Sequence, residues 1–174
     1  MAYKRILTIQ DISCVGQCSM TVALPILSVC GHETCILPTA LLSTHTGGFG
    51  KPSVVHLGDA LDGMWQHWKT NDITFDAILV GYLGSISAIE MTEKILKQML
   101  APDGISIVDP AMADNGKMYA GFQADFAEKM LQFCKKPIDK RNYIAIIMVK
   151  LQDCNNFERR ETCDKKVFVP RTMR

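Results

Sequence analysis

The sequence predicts an α/β fold in which helices alternate with the strands of a mostly parallel sheet. Two runs, Phe75–Val80 and Ile105–Val108, read as strands covered on both faces by their apolar content. Helical patterns separate the strand-like runs instead of following them in a block, which implies right-handed crossovers. The segments after the strand ends are polar or glycine-bearing, as ligand-facing loops of such sheets are.

Each element has its own signal. Arg5–Gln10 alternates and is β-rich, so it is a first strand. Ser19 is placed to cap a helix over Met20–Cys30, with Pro25 kinking it and Gly31 stopping it. Thr34–Leu37 is a short second strand. Leu57, Leu61, Met64, Trp65 and Trp68 recur at helical spacing and give an amphipathic helix ending near Asn71. Ser87-Ala88-Ile89-Glu90 has the form of a capping box opening a helix to about Leu100. Phe122–Cys134 completes the series as a last helix.

Composition narrows the class. With 174 residues, 48% hydrophobic and 21% charged, the chain is large enough for one α/β domain with a core. A net charge of +1 gives no general reason to expect nucleic acid or a membrane surface. The apolar stretch from Thr21 to Leu42 is broken by Gly31-His32-Glu33 and two prolines, so it is not a membrane span. Nor does the start resemble a signal peptide, and a cytoplasmic location is expected. The seven cysteines are odd in number and lack the two-residue gap of zinc ligation; they read as small apolar fillers in a reduced compartment.

Character changes near residue 134. Residues 1–134 carry 8 basic and 13 acidic side chains, net −5, and all 12 glycines. Residues 135–174 carry 11 basic and 5 acidic, net +6. We therefore divide the chain into 1–134, one α/β unit, and 135–174, a basic, glycine-free tail of the kind a shifted reading frame or a truncated gene produces. A solvated nucleic-acid-binding extension is the weaker alternative.

Four strand ends carry the polar residues: Asp11-Ile12-Ser13, Ser43 to Phe49, Gly81-Tyr82-Leu83-Gly84, and Asp109 to Gly116. The glycine-rich Thr46–Gly50 is not a P-loop, because Pro52 follows Lys51 where a Ser or Thr is required. Asp109, at the end of a buried strand, is desolvated unless a cation compensates it, and Asp114 lies five residues on. Such a pair suits a Mg2+–ATP complex, since Mg2+ takes one or two carboxylates plus phosphates and water; the bland reading is a capped turn and a surface Asp.

Three segments, Ile9–Ser13, Leu37–Phe49 and Val108–Tyr119, closely resemble the pyridoxal/pyridoxamine (vitamin B6) kinases of the ribokinase-like superfamily. The likeness runs over residues 4 to 134 and implies a truncated three-layer ribokinase-like fold. It implies ATP-dependent phosphorylation of the hydroxymethyl group of a B6 vitamer, with ATP and Mg2+ as cofactors and an assembly that is often a homodimer. By resemblance, Asp11, His45, Thr46 and Tyr82 lie on the substrate side. Asp109, Asp114 and Tyr119 lie on the ATP side, with Asp109 at the metal. Kinases of hydroxymethylpyrimidine or of sugars share the superfamily, and a non-catalytic remnant is a further alternative. The family's threonine-proline-asparagine-x-x-glutamate and glycine-x-glycine-aspartate motifs do not occur here. The chain's sole Gly-Asp pair, Gly58-Asp59, has His56 in place of the earlier glycine. No catalytic base is therefore assigned, and the polypeptide alone is expected to be inactive.

Overall fold

The computed structural model describes residues 3–114, 117–119, 121–135 and 143–145. The element order is β1 (Arg5–Ser13), α1 (Met20–Val29), β2 (Glu33–Leu42), β3 (Val54–His56), α2 (Gly58–Thr70), β4 (Phe75–Val80), α3 (Ile86–Met99) and β5 (Leu100–Val108). A two-residue hairpin follows, β6 (Ala113–Asp114) and β7 (Lys117–Met118), then α4 (Ala124–Lys135) and β8 (Tyr143–Ala145). Six strands form one sheet in the order β3-β2-β1-β4-β5-β8, parallel except for the β2–β3 pair. Residues 143–145 of the basic tail form a strand that pairs with β5, and Lys135 ends α4; the rest of the tail lies outside the described residues.

The strand order explains the layers. From β1 the chain crosses to β2 on one side, then returns past β1 to β4 on the other. Right-handed crossovers in opposite directions put their helices on opposite faces. α1 packs on β1 and β2, while α2, α3 and α4 line up on the other face. Beneath those three helices lies the core. Leu7, Ile9, Leu37, Ile78, Val80 and Val108 from the strands meet Leu61 and Trp65 of α2, Ile89 and Ile95 of α3, and Phe126 and Met130 of α4. On the α1 face Ile105 of β5 is 42% exposed, so that face is only partly covered.

Several sequence expectations are corrected. β2 runs to Leu42, five residues past the expected end, because it pairs with the last turn of β1 (Ile12 with Leu41, Ser13 with Leu42) and with β3. Ser19 does not cap α1: its φ is +51° and its hydroxyl makes no capping bond, while Thr21 Oγ1 instead accepts from the Cys18 amide at 3.1 Å. Gly31, at φ +85°, does stop that helix. α3 starts two residues before the expected box, with Ser85 Oγ accepting from the Ala88 amide at 3.2 Å. Asp76 interrupts the apolar run of β4 and turns to the sheet's amino edge, where it binds Lys4 Nζ at 2.8 Å and the Arg5 amide at 2.9 Å.

Candidate functional site

Ile9 lies level with Leu37 and Val80, and Val80 with Val108. The chain leaves this row at the carboxyl edge of the sheet, and the connections diverge between β1 and β4. That divergence is the place where open α/β sheets bind ligands. Asp11 and Tyr82 flank it.

Asp11 sits inside β1, not in a loop after it. Pro38 of β2 has no N–H to give the ladder, and the register slips there: Thr39 and Ala40 stand opposite the single Asp11. Asp11 is buried, 4% exposed, and Ser13 Oγ lies 3.3 Å from its Oδ2. Tyr82 follows β4 directly. Its carbonyl accepts from the buried Thr39 hydroxyl at 2.8 Å, which fixes the start of the β4–α3 loop to β2. Burial pushes the Tyr82 phenol above its ordinary value, and the nearby Asp11 and Tyr119 push it further the same way.

The β5 side reaches the same place through rings. Tyr119 lies 6.4 Å from Tyr82 between centroids, and Phe122 stacks on Tyr82 at 5.4 Å. Phe122 in turn stacks on Phe126 of α4 at 3.9 Å with the planes 6° apart. The aromatic pairs tie the loop after β5 to the loop after β4, each adding roughly 0.5–1.5 kcal/mol beyond area burial. Phe122 and Thr39 were not among the sequence candidates. The spacing Tyr119-x-x-Phe122-x-x-x-Phe126 and a threonine in a buried strand were the available signals.

Gly84 marks a close approach. At φ +74° a side chain is strained, and a Cβ there would stand 3.0 Å from the Tyr82 ring. Gly84→Ala is expected to cost about 1–2 kcal/mol and to shift the Tyr82 phenol titration, read by ultraviolet absorbance, with little change in helix content.

The loop at residues 43–53 is held from the turn that follows β1. The His45 amide donates to the Val15 carbonyl at 2.8 Å, and Gly16, at φ +78°, leaves 3.0 Å to the Phe49 ring where its Cβ would be. His45 curls back so that its Nδ1 accepts from the Gly47 amide at 3.2 Å. Thr46 is exposed on this loop. The structure therefore brings Asp11, Tyr82 and Tyr119 together, anchors His45 beside β1, and leaves Thr46 on the loop surface.

Asp109 closes β5, its amide donating to the Val80 carbonyl at 2.9 Å, which sets it beside Gly81. Solvent reaches it, yet desolvation by the strand ends raises its carboxyl. Asp114 stands opposite Lys117 in the β6–β7 hairpin, and its side chain is outside the described residues. Among the described residues no group of three potential ligands could hold a metal alone. Mg2+ at Asp109 would draw its remaining oxygens from phosphates and water, which its preference allows.

No protein-family profile matches the chain. A provisionally assigned pyridoxal kinase of Schizosaccharomyces pombe is 27% identical over 119 residues, covering 67% of this chain and 38% of that protein. A Bacteroides thetaiotaomicron protein, provisionally assigned as a phosphomethylpyrimidine kinase and crystallised with pyridoxal, shares 36% identity at a TM-score of 0.73, over 76% of this chain and 46% of its own. The pyridoxal kinase of Lactobacillus plantarum shares 36% identity at a TM-score of 0.71, over 78% and 48%. A Leishmania donovani pyridoxal kinase in complex with ADP has the same fold at 18% identity. The chain spans about half the length of these structures. Among the described residues no helix is long and apolar enough to cross a membrane. In sequence and fold together, the chain resembles the pyridoxal kinases of the ribokinase-like superfamily, over about three-quarters of its own length and half of theirs.

Proposed function

We propose that the chain carries the vitamer-binding part, and the first carboxylates of the nucleotide site, of a cytoplasmic kinase that phosphorylates the hydroxymethyl group of pyridoxal, pyridoxamine or pyridoxine. One observation carries the reading: Asp11 lies opposite Thr39, whose hydroxyl donates to the Tyr82 carbonyl, and Tyr119 lies beside the Tyr82 ring, so the three gather at the divergence between β1 and β4. Asp11, Tyr82, His45 and Thr46 hold and enclose the pyridine alcohol. Asp109, Asp114 and Tyr119 serve ATP, with Asp109 also serving Mg2+. ATP supplies the phosphoryl group, and the transfer depends on positioning and charge neutralisation. The residues described here bind and orient; the base that takes the hydroxymethyl proton is not among them. The assembly proposed is the homodimer common in the family.

Hydroxymethylpyrimidine is the second substrate reading, favoured by the name of the Bacteroides relative. Equilibrium dialysis of the chain against pyridoxine, pyridoxamine, hydroxymethylpyrimidine and ribose separates the two. Retention of a B6 vitamer is the expected result, and retention of the pyrimidine alone overturns it.

Asp109 gives a pH test. Its folded pKa is raised above the unfolded value near 3.9. Its contribution to stability is therefore fully present below that pH and is lost as pH rises through the folded value. Asp109→Asn removes this loss. The variant is expected to unfold slightly above the wild type at pH 7 and level with it near pH 3, by scanning calorimetry. Mg2+–ATP should raise the melting temperature of the wild type only.

A further inference from the structure

We propose that Asp11 makes the site selective for a heterocycle whose ring nitrogen is protonated, so that the bound alcohol is a cation. The inference rests on the pyridine-alcohol reading above and adds the charge state that the site accepts. Asp11 is 4% exposed, at a register slip in β1, beside the divergence between β1 and β4. Among the described residues no Lys, Arg or His makes an ion pair with it. Its hydrogen bond is a long one, from Ser13 Oγ at 3.3 Å. The neighbouring Gln10 amide is turned to Thr8, its Nε2 donating to Thr8 Oγ1 at 2.6 Å. The titratable groups gathered here are the phenols of Tyr82 and, behind it, Tyr119, and the imidazole of His56, whose Nδ1 would stand 3.5 Å from a Cβ at Gly84 beside the Tyr82 ring and which makes no ion pair with Asp11.

A carboxylate removed from water with no counter-charge is costly, and a core position would favour its replacement by a neutral group. At a ligand site the same carboxylate has a use. A protonated ring nitrogen supplies both the missing charge and a hydrogen-bond donor, and a charge-assisted bond of that kind is about twice as strong as a neutral one. A neutral ring leaves the carboxylate without a counter-charge, and sites with unpaired buried polar groups reject such analogues strongly. The Tyr82 ring, stacked on Phe122, adds an aromatic surface beside the charge.

The test uses the full chain, pyridoxine, and the benzene counterpart of pyridoxine in which the ring nitrogen is replaced by C–H. Equilibrium dialysis with the wild type is expected to give at least about tenfold tighter binding of pyridoxine. Asp11→Asn and Asp11→Ser should remove that preference, weakening pyridoxine and relieving the rejection of the benzene counterpart. A second readout needs no variant: wild-type-bound pyridoxine should keep the absorption of its ring-protonated form above the pH at which the free ligand loses that proton. The proposal is overturned if the variants keep the preference, if the bound spectrum follows the free ligand, or if Mg2+ alone occupies Asp11 and lowers the Tyr82 phenol titration. Equal binding of both ligands by the wild type sinks this inference alone. Binding of neither sinks the pyridine-alcohol reading and this inference with it.

Discussion

Incubated with ATP, Mg2+ and pyridoxal, the purified 174-residue polypeptide is expected to release no pyridoxal 5′-phosphate above background. Phosphoryl transfer to an alcohol needs donors aimed at the transferring group and a base for the hydroxyl proton. One missing anion-stabilising donor costs ~10²–10³ in rate, and a missing general base ~10²–10⁴. The chain has no glycine-x-glycine-aspartate segment to supply either. Its Gly58-Asp59 pair opens α2, where Gly58 packs so tightly on α3 that a Cβ would stand 2.9 Å from Ser87 Oγ. That glycine serves helix contact. Chromatographic detection of the phosphorylated vitamer checks the expectation, and sustained turnover would place a base within residues 1–174.

The second large effect concerns the core. Phe75 is 1% exposed at the start of β4, with Trp68 of α2 edge-on at 5.8 Å between centroids. Phe75→Ala removes the ring that joins α2 to the sheet, and such truncations cost about 3–5 kcal/mol. Domains of this size are stable by only about 5–15 kcal/mol, and here Ile105 leaves part of the sheet's other face open to water. The variant is expected to populate unfolded chain without denaturant. Urea titration followed by tryptophan emission, with both Trp65 and Trp68 in the packed helix, measures this directly; a midpoint equal to that of the wild type contradicts it.

Much of the architecture was legible because parallel strands announce themselves by composition. Phe75–Val80 and Ile105–Val108 pair as neighbours, with Val80 opposite Val108. The Leu61/Trp65/Trp68 stripe does face the core. What escaped the sequence depends on partners remote in the chain. β2 reads as ending at Leu37 because Pro38 breaks the pattern, yet the last residues of β1 and the antiparallel β3 carry it to Leu42. Asp11 looked like a loop residue because carboxylates are rare in buried strands; the bulge opposite Thr39 and Ala40 makes room for it. Capping failed at Ser19 and moved from Ser87 to Ser85, since local hydroxyls compete and backbone geometry chooses among them. The site was half legible. Strand-end logic offered Asp11, Tyr82 and Asp109 as candidates, and the resemblance added Tyr119. Phe122 emerged only when α4 brought Phe126 up behind it.

The central claim is a single ligand site at the divergence of β1 and β4. Titration of the 15N-labelled chain with pyridoxine, followed amide by amide, tests it most directly. The account predicts shifts at Asp11 to Ser13, His45 to Gly48 and Gly81 to Gly84 that saturate together with one Kd, leaving the far ends of α2 and α3 unmoved. No shifts at these amides, or shifts scattered over the helices with differing affinities, would contradict it.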